Sequence, residues 1–374
     1  MAAVTLSEVA RAAGVSPATA SRVLNGSSRT PGADIAERVR AAAAALGYIP
    51  NAQAQALARS SSGLLGLIVH DIADPYFSSI ARGVQSAARE LGKILLLTST
   101  EGTPAEERLA VEAFTSRRAD AIVMAGSRST RTEDSLDNAA LKRETERYLA
   151  NGGSLVLVGH DLVAPEGTSD HAAPSGSEDA DLEAAFAPSP LLVSIPNEFL
   201  ARDLGLSLSD EGFSRFTIVA GPEGLMTSDL RVSGFQMALG EKGLPRAEVS
   251  RSAFNRDGGY EAGAKLESSV RAAIEAGNRV CIFAVNDRMA MGVVAALRQK
   301  GLHAPTDYAI AGFDDINTLE DFIPGLTTVR LPLEEIGRKA ARAALTGEDP
   351  LPAAGEVILR ESTAAEAKSP TSRG

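Results

Sequence analysis

At 374 residues the chain is too long for one ordinary hydrophobic core, so two or three domains are expected. Apolar residues make up 44% and charged residues 23%, the balance of an ordinary globular protein, and no run of 18 apolar residues is available to cross a membrane. The net charge of −11 weighs against nucleic acid as a partner of the chain taken whole, and the single cysteine, Cys281, excludes an internal disulfide and suits a reducing cytoplasm.

The distribution of charge reverses the inference about nucleic acid. Residues 1–60 carry six arginines against Glu8, Asp34 and Glu37, a balance of +3 that leaves −14 on the remainder. A small basic head on an acidic body lets one region meet phosphate and the other not. The head opens with no charged-then-apolar signal pattern. Thr5 and Glu8 have the S/T-x-x-E spacing of a capping box, which starts a first helix at Thr5. Leu6, Val9, Ala10 and Ala13 then share one face, and Gly14 sits where a left-handed residue ends the helix. Ser16 can cap a second helix, and Pro17 suits its first turn because its missing N–H would be unpaired there. That helix, Pro17 to Leu24, sets Thr19, Ser21, Arg22 and Asn25 along a polar edge. A helix of this size and face fits the DNA major groove; the plainer alternative is a hairpin within a larger helical bundle. Arg22 can either read guanine through O6 and N7 together or clamp a phosphate. A third helix is expected from about Asp34 to Leu46, with Ile35, Val39, Ala42 and Leu46 facing the first two and Gly47 ending it.

Residues 51–58 (NAQAQALA) form a candidate helix of one or two turns capped by Asn51, too short to be helical alone in water. Arg59–Gly63 reads as a flexible joint. From Leu64 on, apolar runs alternate with helical stretches: 64–69, 94–98, 121–125, 155–159, 191–195, 216–220, 280–285 and 308–312. Nearly continuous apolar strands separated by helices mean parallel sheets covered on both faces. The pattern falls into two similar halves, 64–161 and 191–325, joined by an acidic stretch, 163–190, that is rich in Pro, Ser and Ala and reads as a mobile insertion. Cys281, inside VCIFAV, reads as a small buried hydrophobe. Ligands of open parallel sheets bind at the carboxyl ends of the strands. That rule singles out the loop His70–Phe77, Asn286 and Asp287 after VCIFAV, and Asp314 after YAIAGF. Asp287 suits a helix N-terminus and Asp315 a solvated or structural place, while His70 and His160 either line a cleft or fill polar positions. No G-x-x-x-x-G-K-[ST], G-x-S-x-G or H-E-x-x-H motif and no Cys/His metal spacing occurs, so no enzyme activity, metal or cofactor is expected.

Several runs carry a family signature: TLSEVARAAGVSPATASRVLNG and ALGYIPNAQAQALA in the head, then GLIVHDIADPYFSSIARGVQSAARELG, SRRADAIVMAGS, SDLRVSGFQMAL, FAVNDRMAMGVVAALR and GFDDINTLEDFIPGLTTVRLPLEEIG. Over nearly its whole length the chain resembles the lactose-repressor-type (LacI/GalR) bacterial transcription regulators. The resemblance implies an N-terminal all-α helix-turn-helix head (1–49), a hinge helix and linker (50–63), and an α/β body of two Rossmann-like parallel-sheet lobes like those of periplasmic sugar-binding proteins. The first lobe would be 64–161 plus about 329–348, and the second 191–325 plus about 350–365.

By the same resemblance, Thr5, Ser16, Pro17, Ala18, Thr19, Ser21, Arg22, Asn25 and Arg29 would contact DNA. Pro17 and Ala18 stand at positions that often carry specificity, and Ala18 can touch a thymine methyl. Asn51 opens the hinge helix, and Leu57 matches the apolar wedge that opens a minor-groove base step. Asp71, Asp74 (where Asn is commoner), Phe77, Arg231, Phe254, Asn286 and Asp314 would form the effector site. Carboxylates that accept paired hydroxyls, with an arginine that donates, suit a polyhydroxylated ligand. Pro196 stands where the family usually has Asp. The implied function is a cytoplasmic, ligand-responsive repressor that binds a palindromic operator as a homodimer, with a sugar-like effector between the lobes and no membrane partner. The alternatives are a regulator sensing a nucleobase or other non-sugar metabolite, and, in a different class, a solute-binding protein or enzyme on the same body.

Overall fold

The computed structural model of the chain describes residues 4–25, 31–49, 61–163 and 188–364. Arg29, the expected hinge helix with Asn51 and Leu57, and most of the acidic insertion lie outside the described residues.

The N-terminal unit comprises residues 1–64 with 117–120. Its helices are α1 (Leu6–Ala13), α2 (Pro17–Asn25) and α3 (Ala33–Leu46). The capping box forms as the sequence predicts: the Thr5 N–H donates to Glu8 Oε2 at 2.7 Å and the Glu8 N–H to Thr5 Oγ1 at 3.4 Å. Gly14 and Gly47 end α1 and α3 in the left-handed region, at φ +66° and +64°. Val9, Ala10, Ala13, Ala20, Val39 and Ala43 form the core of the three helices. Leu46 departs from its expected inward place and is exposed. Residues 61–63 are also not the free joint expected of a Ser/Gly run. The Asp120 carboxylate accepts from Ser61 Oγ and the Ser62 N–H at 2.7 Å each and from the Gly63 N–H at 3.0 Å.

Among its described residues the second unit holds two parallel sheets and a two-stranded antiparallel one. The first has the strand order β2-β1-β3-β4-β5, built from β1 (Leu64–Val69), β2 (Ile94–Ser99), β3 (Ala121–Gly126), β4 (Ser154–Gly159) and β5 (Leu191–Ser194). The second is β7-β6-β8-β9, with β6 (Phe216–Ala220), β7 (Glu248–Arg251), β8 (Cys281–Ala284) and β9 (Ala309–Ala311). The apolar inner strands β3 and β8 are wholly buried, whereas the edge strands β2 and β7 are partly exposed. The short polar EVSR of β7 carries none of the apolar signature by which the other strands were found.

One boundary is corrected. The run at 191–195 does not open the second lobe: β5 pairs in parallel with β4, from Val156↔Leu191 to Gly159↔Ser194, and completes the first sheet. The passage to the second lobe follows it, at α7 (Asn197–Asp210), which packs on α8 (Met226–Glu241). An apolar strand reveals that it is buried but not which sheet buries it. Later in the chain, α11 (Leu333–Thr346) lies against α4 (Pro75–Glu90) and against β3, β4 and β5. The α4–α11 contact is backbone-close: a Cβ added at Gly83 would stand 1.9 Å from the Glu334 carbonyl oxygen, and one at Gly337 2.1 Å from that of Ile80. β10 (Thr328–Arg330) and β11 (Glu356–Ile358) form an antiparallel pair, and bridges Ala311↔Thr327 and Asp314↔Arg330 join it to the end of β9.

Candidate functional site

Both lobes turn the carboxyl ends of their strands toward one cleft of about 820 Å³. All seven residues named for it from the sequence (Asp71, Asp74, Phe77, Arg231, Phe254, Asn286 and Asp314) line this space. On the first lobe, Asp74 caps α4 by accepting the Tyr76 N–H at 3.0 Å, which fixes the start of the helix carrying Phe77. Tyr76 and Phe77 meet edge to face, with centroids 5.0 Å apart. On the second lobe, Asn286 caps α10 (Asp287–Gln299) by accepting the Met289 N–H at 2.7 Å.

Arg231, 2% exposed, is the centre of the second-lobe wall. Its Nε donates to Asn197 Oδ1 at 2.9 Å, Nη1 to the Val285 carbonyl at 2.7 Å and Nη2 to Asp314 Oδ1 at 2.8 Å. The Phe313 ring covers its face at 3.7 Å. Asp314 is a non-glycine residue at φ +115°, a backbone position held only by over-determined surroundings. Here the Asp314 N–H donates to the Val329 carbonyl and its carbonyl accepts from the Leu331 N–H. Burial raises the Asp314 pKa, Arg231 opposes the rise, and the result is about 6. Asp287 is fully buried and does not line the cleft. It accepts from Thr328 Oγ1 at 2.7 Å and the Ile316 N–H at 3.0 Å, and burial, reinforced by Asp314, raises its pKa well above the ordinary value of 3.8. It serves the structure, as does Asp315, which pairs with Arg330 and Arg360.

His70 lines the cleft with its ring edge so close to Gly126 that a Cβ there would meet Nε2 at 1.9 Å. Beneath it, Glu107 pairs with the buried Arg128 and lies 3.3 Å from His70 Nε2. Burial alone would raise the Glu107 pKa, but Arg128 and His70 outweigh it and hold the carboxyl below the usual range. His160 is buried, bonds Thr227 Oγ1 at 2.8 Å and is not among the lining residues. Its pKa is pushed down to about 4 by burial, helped by Arg128 and Arg231.

Residues that sequence reasoning missed hold the walls together. Arg288, in the first turn of α10, reaches across to Asp74 Oδ2 at 3.1 Å and Asp71 Oδ2 at 3.4 Å, tying the second lobe to the first. On the other side the Met226 N–H donates to the Arg128 carbonyl at 2.9 Å and the Thr130 N–H to that of Gly224 at 2.8 Å. Asn197 immediately follows Pro196 and supplies the oxygen that holds Arg231. Only its place at the end of an apolar strand could have signalled it.

In the N-terminal unit, Thr5, Ser16, Pro17, Ala18 and Arg22 are exposed, while Thr19, Ser21 and Asn25 are half-buried. Ser16 Oγ accepts the Thr19 N–H at 3.1 Å, and Asn25 Nδ2 donates to Ser21 Oγ at 2.9 Å, so part of the expected polar edge is bonded within α2.

Three family models match the chain. Bacterial regulatory proteins of the lacI family match residues 5–51, the periplasmic binding proteins and sugar-binding domain of the LacI family match 62–145, and the periplasmic binding protein-like domain matches 207–364. The chain is 28% identical to the HTH-type transcriptional regulator GalS of Salmonella typhimurium, over 92% of this chain and 90% of that one. It is equally identical to the ribose operon repressor of Escherichia coli, over 90% of each. Its fold matches that of the lac repressor dimer bound to operator and the anti-inducer ONPF, with a TM-score of 0.75 and 22% identity over 97% of this chain and all of that one. The chain thus carries a lacI-family DNA-binding domain of bacterial regulatory proteins followed by periplasmic-binding-protein-like domains, the arrangement of the transcription regulators it resembles.

Proposed function

We propose that this protein is a ligand-responsive repressor that binds a palindromic operator as a homodimer and takes a small sugar-like effector in the cleft between its lobes. One observation carries the reading: the residues named for a polyhydroxylated ligand come from both lobes and meet in a single cleft. The similarity to a ribose operon repressor supports the sugar class. The exposed ridge Thr5, Ser16, Pro17, Ala18 and Arg22 is assigned to DNA, with Thr19, Ser21 and Asn25 shaping it and Arg29, Asn51 and Leu57 completing the contact. Arg22 reads a guanine, and the phosphate contacts make the affinity fall with salt. Effector binding changes the closure of the lobes and so the pairing of the hinge segments, a coupling of roughly 1–3 kcal/mol. The protein acts by binding in the cytoplasm, without turnover. Footprinting on the DNA flanking its gene tests this. Two protected half-sites related by a dyad are expected, because a two-fold dimer reads a palindrome. Protection without dyad symmetry contradicts the proposal.

A further inference from the structure

Among the described residues the arginines that line the cleft are already paired with carboxylates, and this narrows the effector. Arg231 is matched with Asp314, and Arg288 with Asp71 and Asp74. Arg131, at the rim, is matched with Glu133 and Asp134 at 2.9 Å each. Glu101 also lines the space, at φ +46°, and makes no ion pair among the described residues. Asp314 gives one oxygen to Arg231, and its other accepts no hydrogen bond among them. Arg128 is 2% exposed, paired with Glu107 and not among the lining residues.

Among the described residues the cleft therefore presents spare acceptors and no unshared guanidinium. A phosphate or carboxylate brought into it would face Asp314, Asp74 and Glu101 at reduced dielectric, or would have to strip an arginine from its carboxylate. Hydroxyl groups instead supply the donors that the free carboxylate oxygens lack, at no charge cost. We propose that the cleft selects an uncharged polyhydroxy effector and rejects its phosphorylated or carboxylated counterparts, with Asp71 and Asp74 as the specificity determinants because they neutralise Arg288. This rests on the sugar reading above.

The test is calorimetric titration of the full-length protein with D-ribose, D-galactose and cellobiose, and with D-ribose 5-phosphate, D-galactose 1-phosphate and inorganic phosphate. At least one neutral sugar is expected to bind, its phosphate roughly tenfold or more weaker, and inorganic phosphate not at all. The double variant Asp71→Asn/Asp74→Asn keeps an Asn cap on α4 but releases Arg288. Its fold is checked by circular dichroism. It should gain inorganic phosphate and sugar phosphate binding by roughly tenfold or more. A sugar phosphate that binds the wild type as tightly as its parent sugar overturns the inference alone and points to Arg128 as an anion anchor. A folded double variant that gains nothing also overturns it. Binding by none of the six compounds defeats the sugar reading and this inference together.

Discussion

The two walls of the cleft are built on different principles. On the second lobe, Arg231, Asn286 and Asp314 are all buried, and each is held by bonds to its neighbours. On the first lobe, Asp71 is exposed and Asp74 and Phe77 are half-buried, carried on a loop and the first turn of a helix. One wall is preorganised and fixes the shape of the site. The other is lightly held and is joined to the first wall partly through Arg288.

The contrast breaks first at Arg231. Arg231→Ala would leave Asp314 and the Val285 carbonyl buried without their donor, and breaking a buried pair costs about 3–5 kcal/mol. Urea denaturation should show a loss of that size; a loss below about 1 kcal/mol would mean the wall is not preorganised by this residue.

A smaller effect is expected in the pH dependence of stability. The folded pKa of Asp314, about 6, lies above the ordinary value of 3.8. The folded chain therefore holds this proton more tightly than the unfolded chain does. The stability it contributes is fully present below 3.8 and is lost as pH rises through about 6. Relative to Asp314→Asn, the wild type should gain stability on acidification from about pH 7 to about pH 4, by roughly 2–3 kcal/mol. Urea midpoints across that range check it, and a constant difference would show that Asp314 does not titrate in this way.

Smallest is Arg288→Gln. Its pair with Asp71 and Asp74 is partly solvated, so the loss should stay below about 1 kcal/mol and shrink in about 1 M salt. A loss as large as that of Arg231→Ala would erase the distinction between the walls.

What the sequence disclosed follows the range of the interactions concerned. The Thr5–Glu8 box and the glycine ends of α1 and α3 span a few residues and could be read directly. The loops at strand ends could be located because apolar strands announce where they stop. The bonds that give the cleft its character join residues far apart in the chain: Arg231 to Asp314 and Arg288 to Asp74. Composition and periodicity carry no trace of such pairings, so Arg288 and Asn197 went unnoticed. β5 was placed in the wrong lobe for the same reason. The tether at 61–63 was misread because its local composition is loose while the carboxylate that holds it lies more than 50 residues away.

The most direct test of the whole account is to repeat the operator footprint while titrating a sugar that binds the cleft, in the wild type and in Asp314→Ala. The account predicts that protection of the wild type shifts with sugar concentration by roughly 5- to 150-fold in operator affinity. The variant should keep its footprint and lose the response. Operator affinity indifferent to a sugar that demonstrably occupies the cleft, or a variant that responds like the wild type, would contradict it.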